Sequence, residues 1–203
     1  GGGGAGTLGA RTARTTRAGC PGANTPPNGI STSAGETLRG AALCHRGGRP
    51  AINVGNSVAR VGGSAQIKAM RQVAGTLRLA LAQYRELAAF AQFGSDLDKS
   101  TQQQLTRGAR LVEILKQPQY EPLAVERQVV IIYAGTNGFI DNVAIGDVRA
   151  YETELYRFID SRYPQLFGGI RDKKQLDDQL KAELDKAVKE FSTDFLARKS
   201  AAA

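Results

Sequence analysis

Few side chains in this sequence are placed to do chemistry of their own. The single histidine, His45, falls in a Gly-rich stretch, which leaves neither a Ser-His-Asp nor a Cys-His arrangement to build on. Cys20 and Cys44 lie in the same Gly-rich region, and they form neither a disulfide framework nor a cluster with metal-ligand spacing. No G-x-x-x-x-G-K-[ST] run is present to cradle a nucleotide phosphate. The carboxylates are spread along helical faces beside Lys and Arg, the ordinary solvated pattern. One segment departs from this: Arg49-Pro50-Ala51-Ile52-Asn53-Val54-Gly55-Asn56-Ser57-Val58-Ala59-Arg60-Val61-Gly62-Gly63. It sets Arg60 among small residues and glycines just before a long helical pattern begins. Such an arginine can project from a tight turn into a neighbouring subunit, or it can bond local carbonyls. Spacing alone leaves both readings open.

The elements that must position this arginine are helical. From Ser64 to Phe93 the apolar residues Ile67, Met70, Ala74, Leu77, Leu81, Tyr84, Ala88 and Ala91 recur at steps of three and four. They form one stripe along a long helix. Gly94-Ser95-Asp96 stops it, and a second helix starts after Asp98, where Ser100 and Gln103 fit a capping box. That helix runs through Leu105, Val112 and Leu115 to Gln117. The connector Gln117-Pro118-Gln119-Tyr120-Glu121-Pro122 follows, with Pro122 suited to a first helical position. The next helix ends near Gly135 to Gly138, another covers about Gly146 to Tyr163 and is closed by Pro164. The last, about Lys173 to Ala197, carries Leu176, Leu180, Leu184, Val188, Phe191 and Phe195. No strand-like alternation of comparable length occurs after residue 64. The expected fold is therefore all-α, an antiparallel helical bundle over 64–203.

Charge divides the chain differently. It has 203 residues with 27 Lys plus Arg against 19 Asp plus Glu, for a net charge of +8. Residues 1–60 hold seven arginines and one acid, Glu36, whereas the remainder is nearly balanced. The stretch 1–48 is rich in Gly, Thr, Ser and Pro, and by composition it buries too little apolar surface to offset its ordering entropy. It reads as a disordered or degraded Gly/Arg-rich arm. A nucleic-acid or anionic-surface arm, an organellar transit peptide, and an eroded or mistranslated piece of a larger protein are the three alternatives. No aromatic residue interleaves its arginines, so base-stacking platforms are missing. The longest apolar run, Val129 to Ala134, is far too short to span a bilayer. No charged-then-apolar leader opens the chain, so a secretory signal is not expected.

The run RPAINVGNSVARVGGSAQIKAMRQVAGTLRLALAQYRELAAFAQFGSDLD, followed by TRGARLVEILKQPQYEPLAVERQVVIIYAGTNGFID, resembles the α subunit of the F-type ATP synthase. The likeness covers roughly residues 49–198. It implies that 49–63 is the end of an α/β nucleotide-binding domain and 64–203 the C-terminal helical domain. Upstream, Asn28-Gly29-Ile30-Ser31 stands where the family has a similar turn.

The resemblance also implies roles. Arg60 would be an arginine finger reaching the catalytic site of an adjacent β subunit, and Ser57 a positioning hydroxyl near the same phosphates. A planar guanidinium suits the spread charge of a moving phosphoryl group, and lysine does not reproduce its fork. Arg49, Pro50, Gln117 and Gln119 would line the adenine of a noncatalytic ATP or ADP, bound with Mg2+ in the full subunit; a glutamine amide offers both donor and acceptor to a purine edge. The turn Gly94 to Asp98 matches the region facing the central stalk. Implied partners are β subunits, the γ subunit of that stalk and the δ subunit of the peripheral stalk. The implied place is the cytoplasmic face of a bacterial plasma membrane, as part of a peripheral complex. Asn56 replaces an apolar family residue, Ala59 a serine, and Ala80 a polar one. The sequence contains no phosphate-cradling loop, so the isolated chain is expected to lack ATPase activity and a bound cofactor. The competing function is a non-catalytic helical interaction module whose basic arm binds nucleic acid.

Overall fold

The computed structural model describes residues 29–32, 35–38, 40–45, 51–54, 57–91, 98–118 and 120–201. They fall into two compact units: Gly1–Ser64 with Lys116–Tyr120, and Ala65–Leu115 with Glu121–Ala203.

The second unit is the helical bundle. Its helices are α3 (Lys68–Ala91), α4 (Lys99–Ile114), α5 (Val125–Thr136), α6 (Val148–Arg162), α7 (Pro164–Lys173) and α8 (Asp178–Ala201), with a 3-10 turn at Ile145–Asp147. Helix α3 packs on α4 and α5, α4 on α5 and α6, and α6, α7 and α8 on one another. The core is dense around α5, where Val129, Val130, Ile131, Ile132 and Ala134 are all buried. Along α8 the expected stripe is buried at every position from Leu180 to Phe195, and Leu176 is buried just ahead of it. Each such side chain contributes about 1.5–3 kcal/mol of apolar transfer. Tyr151 stacks edge-on against both Phe191 and Phe195, at centroid distances of 5.0 and 5.3 Å.

Polar groups inside this unit are paired. Glu126 accepts hydrogen bonds from Nε and Nη2 of Arg171, the first at 3.1 Å. The buried Glu152 accepts from the Tyr156 hydroxyl at 3.0 Å. Arg107 of α4 clasps Asp141 beyond α5, with Nε 3.1 Å from both carboxylate oxygens. Gly138, at φ +83°, adopts a conformation that L side chains rarely take, beside Arg107 and Asp141. The start of α3 is pinned by Gln72, whose side-chain amide both donates to and accepts from the backbone of Leu176.

Several details differ from the sequence expectations. The long helix from Ser64 breaks at Gln66–Ile67, and α2 (Arg60–Ala65) precedes the break. In α4 the buried residues are Gly108, Leu111 and Ile114, and Val112 is exposed. The capping box does not form: Asp98 is the N-cap, and the Ser100 hydroxyl bonds the Asp98 carboxylate instead of a backbone N–H. Pro122 lies outside α5, which starts three residues later at Val125. Pro164 closes α6 and also opens α7, a helix absent from the sequence reading, since proline at a first helical position forfeits no hydrogen bond.

The first unit is small. Strands β1 (Gly29–Thr32), β2 (Gly35–Leu38) and β3 (Val58–Ala59) form an antiparallel sheet in that order, and helix α1 (Ala41–His45) lies between β2 and β3 in the chain. The register pairs Ile30 with Thr37 and Glu36 with Val58. The described residues 29–32, 35–38 and 40–45 fall within the stretch 1–48, and their pairing is a backbone feature that composition does not signal. Residues 1–28 lie outside the described residues. Cys44 is buried.

Candidate functional site at the turn before Arg60

The segment carrying Arg60 is held by backbone bonds. The buried Ala51 accepts a hydrogen bond from the Gly40 N–H at 3.1 Å, and the Gly40 carbonyl in turn caps the first turn of α1 through Leu43 and Cys44. Two residues on, the Asn53 carbonyl accepts twice from Ser57: from its N–H at 3.0 Å and from its hydroxyl at 2.5 Å. These bonds close a five-residue turn. Val58 and Ala59 then pair with Glu36 and Gly35, and α2 begins at Arg60. Val58 is 41 % exposed, Val61 63 % and Ile52 36 %, so apolar side chains flank the arginine position without cover from the described residues. The side chain of Arg60, and Arg49, Pro50 and Gln119, lie outside the described residues, as does Gly94 to Leu97 of the acidic turn.

Gln117 is half-buried in the connector after α4. The connector Lys116–Tyr120 groups with Gly1–Ser64, not with the helices that flank it in sequence. The fold thus brings Gln117 into the same unit as Ser57 and the 49–63 segment. Tyr120 in this connector adopts the left-handed conformation, at φ 66°, and is 91 % exposed. Among the described residues no group of three or more His, Cys, Asp or Glu side chains could hold a metal ion.

Sequence reasoning singled out Arg60 and Ser57 but missed Asn53, whose contribution is a backbone carbonyl and leaves no side-chain signal. It also missed β3, two residues long and too short for any periodicity. Chemically, this arrangement presents an arginine position at a helix start. His45 ends α1 exposed.

Residues 66–191 match the family described as ATP synthase alpha/beta chain, C terminal domain. The chain belongs to this family. Among curated relatives it is similar to ATP synthase subunit alpha of Wolinella succinogenes, at 55 % identity over 194 residues. That match takes in 96 % of this chain and 39 % of the relative, so the chain spans about two fifths of that relative's length. It extends well beyond the 49–198 estimated from the sequence and includes most of residues 1–48. The Gly/Arg-rich stretch is therefore largely continuous with the family sequence. No helix among the described residues is long and apolar enough to cross a membrane.

Proposed function

We propose that this chain is the arginine-finger and C-terminal helical portion of an ATP synthase α subunit, acting in ATP synthesis and hydrolysis coupled to proton flow. Arg60 reaches the catalytic site of an adjacent β subunit. The observation that carries this reading is the position of Arg60 as the first residue of α2, directly out of a paired strand and between the exposed Val58 and Val61. Phosphoryl transfer spreads negative charge over the moving group, and a fixed guanidinium stabilises that charge more in the transition state than in the ground state. Arg49, Pro50, Gln117 and Gln119 contribute to a noncatalytic nucleotide site. The grouping of Gln117's connector with the 49–63 segment supports that reading. Mg2+ comes with the nucleotide's phosphates. The partners are β subunits, the γ subunit at the central stalk and the δ subunit at the peripheral stalk, in a peripheral complex on the cytoplasmic face of a bacterial membrane.

The test is Arg60→Ala in the full-length subunit assembled with its partners. Turnover should fall by about 10³–10⁵, as for arginine fingers generally. Near-normal turnover removes Arg60 from the mechanism. The chain alone should show no ATPase activity and bind nucleotide weakly or not at all, and calorimetric detection of micromolar Mg-ATP binding to it would overturn that expectation.

A further inference from the structure

We propose that the cleft between α6 and α8 is a binding site for a small aromatic zwitterion, an aromatic amino acid, held between Arg157 and Asp194. The cleft encloses about 470 Å³, within the range of small-molecule sites, and its lining comes from these two helices. Phe158 and Phe191 form an aromatic wall, their ring centroids 5.4 Å apart. The ion pair Arg198–Glu154 borders the cleft at one end, at 2.9 Å, and Arg162–Glu190 at the other, at 2.5 Å.

Those two pairs fix how the helices stand. Each step along α6 is a step back along α8, so Phe195 stands across from Arg157 and Phe158 across from Asp194. Each of the two charges is thus faced by a phenylalanine position and not by the other charge. Arg157 and Asp194 are exposed, and among the described residues neither makes a hydrogen bond or an ion pair. An unpaired cation and an unpaired anion therefore line one cleft beside an aromatic wall. A ligand carboxylate meets the Arg157 guanidinium, a ligand ammonium meets the Asp194 carboxylate, and a ring packs against Phe158. A purely anionic ligand leaves Asp194 unpaired and a purely cationic one leaves Arg157 unpaired, whereas the zwitterion matches both. Arg198 and Arg162 are already neutralised by Glu154 and Glu190, so the charge preference falls to Arg157 and Asp194.

The experiment uses this chain as it stands, in an amide-resolved NMR titration with L-tryptophan, indole-3-propionate and tryptamine as probes. Indole-3-propionate lacks the ammonium and tryptamine lacks the carboxylate. L-tryptophan should give saturable shifts confined to the α6 and α8 residues that line the cleft. Its Kd should be on the order of 1 mM, the scale for a ligand of this size in an open site. Each one-charge probe should bind about 3- to 10-fold more weakly, the worth of one hydrogen-bonded contact. Arg157→Gln should weaken L-tryptophan to the level of tryptamine, and Asp194→Asn should weaken it to the level of indole-3-propionate. Both positions are exposed, so both variants should keep the wild-type fold, and the three probes test the wild-type chain without any substitution. Equal affinity of the wild-type chain for L-tryptophan and either one-charge probe overturns the zwitterion. Shifts scattered outside the cleft, or shifts that never saturate, overturn the site. Thermal stabilities of the two variants that are coupled in a double-mutant cycle show Arg157 bonded to Asp194 in solution, and overturn the proposal as well.

Discussion

Helices α3 and α4 approach closely at Gly108, and a single methyl group there should separate them. A Cβ on residue 108 would lie 2.3 Å from Cγ and Cδ2 of Tyr84 and 2.5 Å from its Cβ. The ring can swing away, but the Tyr84 Cβ is fixed by the α3 backbone, so relief requires the helices to move apart. Overpacking of this kind costs about 1–3 kcal/mol. Contacts this far inside the ordinary carbon–carbon separation of about 3.5–4.0 Å put Gly108→Ala at the top of that range. Alanine in a helix interior recovers about 1 kcal/mol relative to glycine, leaving a net loss of about 2 kcal/mol. For a chain of this length each kcal/mol moves Tm by about 2–4 °C, so the variant should unfold about 4–8 °C below wild type. The control is Gly75 in α3, where a Cβ would meet nothing within 4 Å. Gly75→Ala should gain about 1 kcal/mol and raise Tm by about 2–4 °C. Thermal unfolding followed by far-ultraviolet circular dichroism reads both. If Gly108→Ala melts at or above wild type, intrinsic helix propensity outweighs packing at this contact, and the close approach is not what glycine is there to permit.

Two ionisable groups give pH signatures. The Arg171 guanidinium, hydrogen-bonded to Glu126, holds that carboxyl below its usual range. A lowered folded value contributes stability above the unfolded carboxyl pKa of about 4.3, lost as pH falls through the folded one. Glu126→Gln should therefore flatten the acid limb of a urea-midpoint profile while costing about 1 kcal/mol or less at neutral pH, since the Arg171 side chain is 68 % exposed. An acid limb of unchanged slope would assign acid unfolding to other carboxyls. Burial pushes the Tyr151 hydroxyl up to about 12, against a smaller opposing effect of Ser192. A raised folded value contributes stability below about pH 10 that is lost as pH climbs through about 12. Tyr151→Phe should weaken that alkaline loss and cost about 1 kcal/mol at neutral pH. The cost stays small because the Ser192 hydroxyl keeps its bond to the Val188 carbonyl at 2.7 Å. The same alkaline slope in both proteins would contradict the assignment.

Periodicity read the helices best where one face alone meets the core. In α8 every apolar residue of the expected stripe is buried, because its other side faces solvent and leaves the pattern unmixed. In α3 Met70, Leu77 and Leu81 are buried as expected, yet Ala69 and Val73 join them, widening the stripe toward two partner helices. In α4 the reading chose the wrong row: Leu105, Val112 and Leu115 keep helical spacing, but contacts with α3, α5 and α6 bury Leu111 and Ile114 instead. A proline is equally compatible with the end of one helix and the start of the next, which is why α7 went unread. At the site, Arg60 stood out by its glycine-rich setting, and the resemblance supplied its role. The carbonyl of Asn53 and the two rungs of β3 are backbone features that side-chain identity does not encode.

The two units differ in what holds them. Among the described residues, Cys44 and Ala51 are the buried apolar side chains of the unit carrying Arg60, and every other buried apolar residue lies in the helical unit. Among the described residues, the turn before Arg60 is held by a few hydrogen bonds and a short ladder, while the bundle is held by burial. It follows that the melting predictions for Gly108, Gly75 and Tyr151 report on the helical unit and can be made on this chain as it stands. The prediction for Arg60 belongs to the assembled subunit of the proposed function, in which a neighbour would cover the exposed Ile52, Val58 and Val61. A hydrogen-exchange comparison makes the point testable: amides of α8 should exchange near the global unfolding rate in the isolated chain, and those of β3 far faster. Comparable protection in both would mean that the small unit is stabilised by its own contacts, and the dependence on a neighbouring subunit would lose its physical basis.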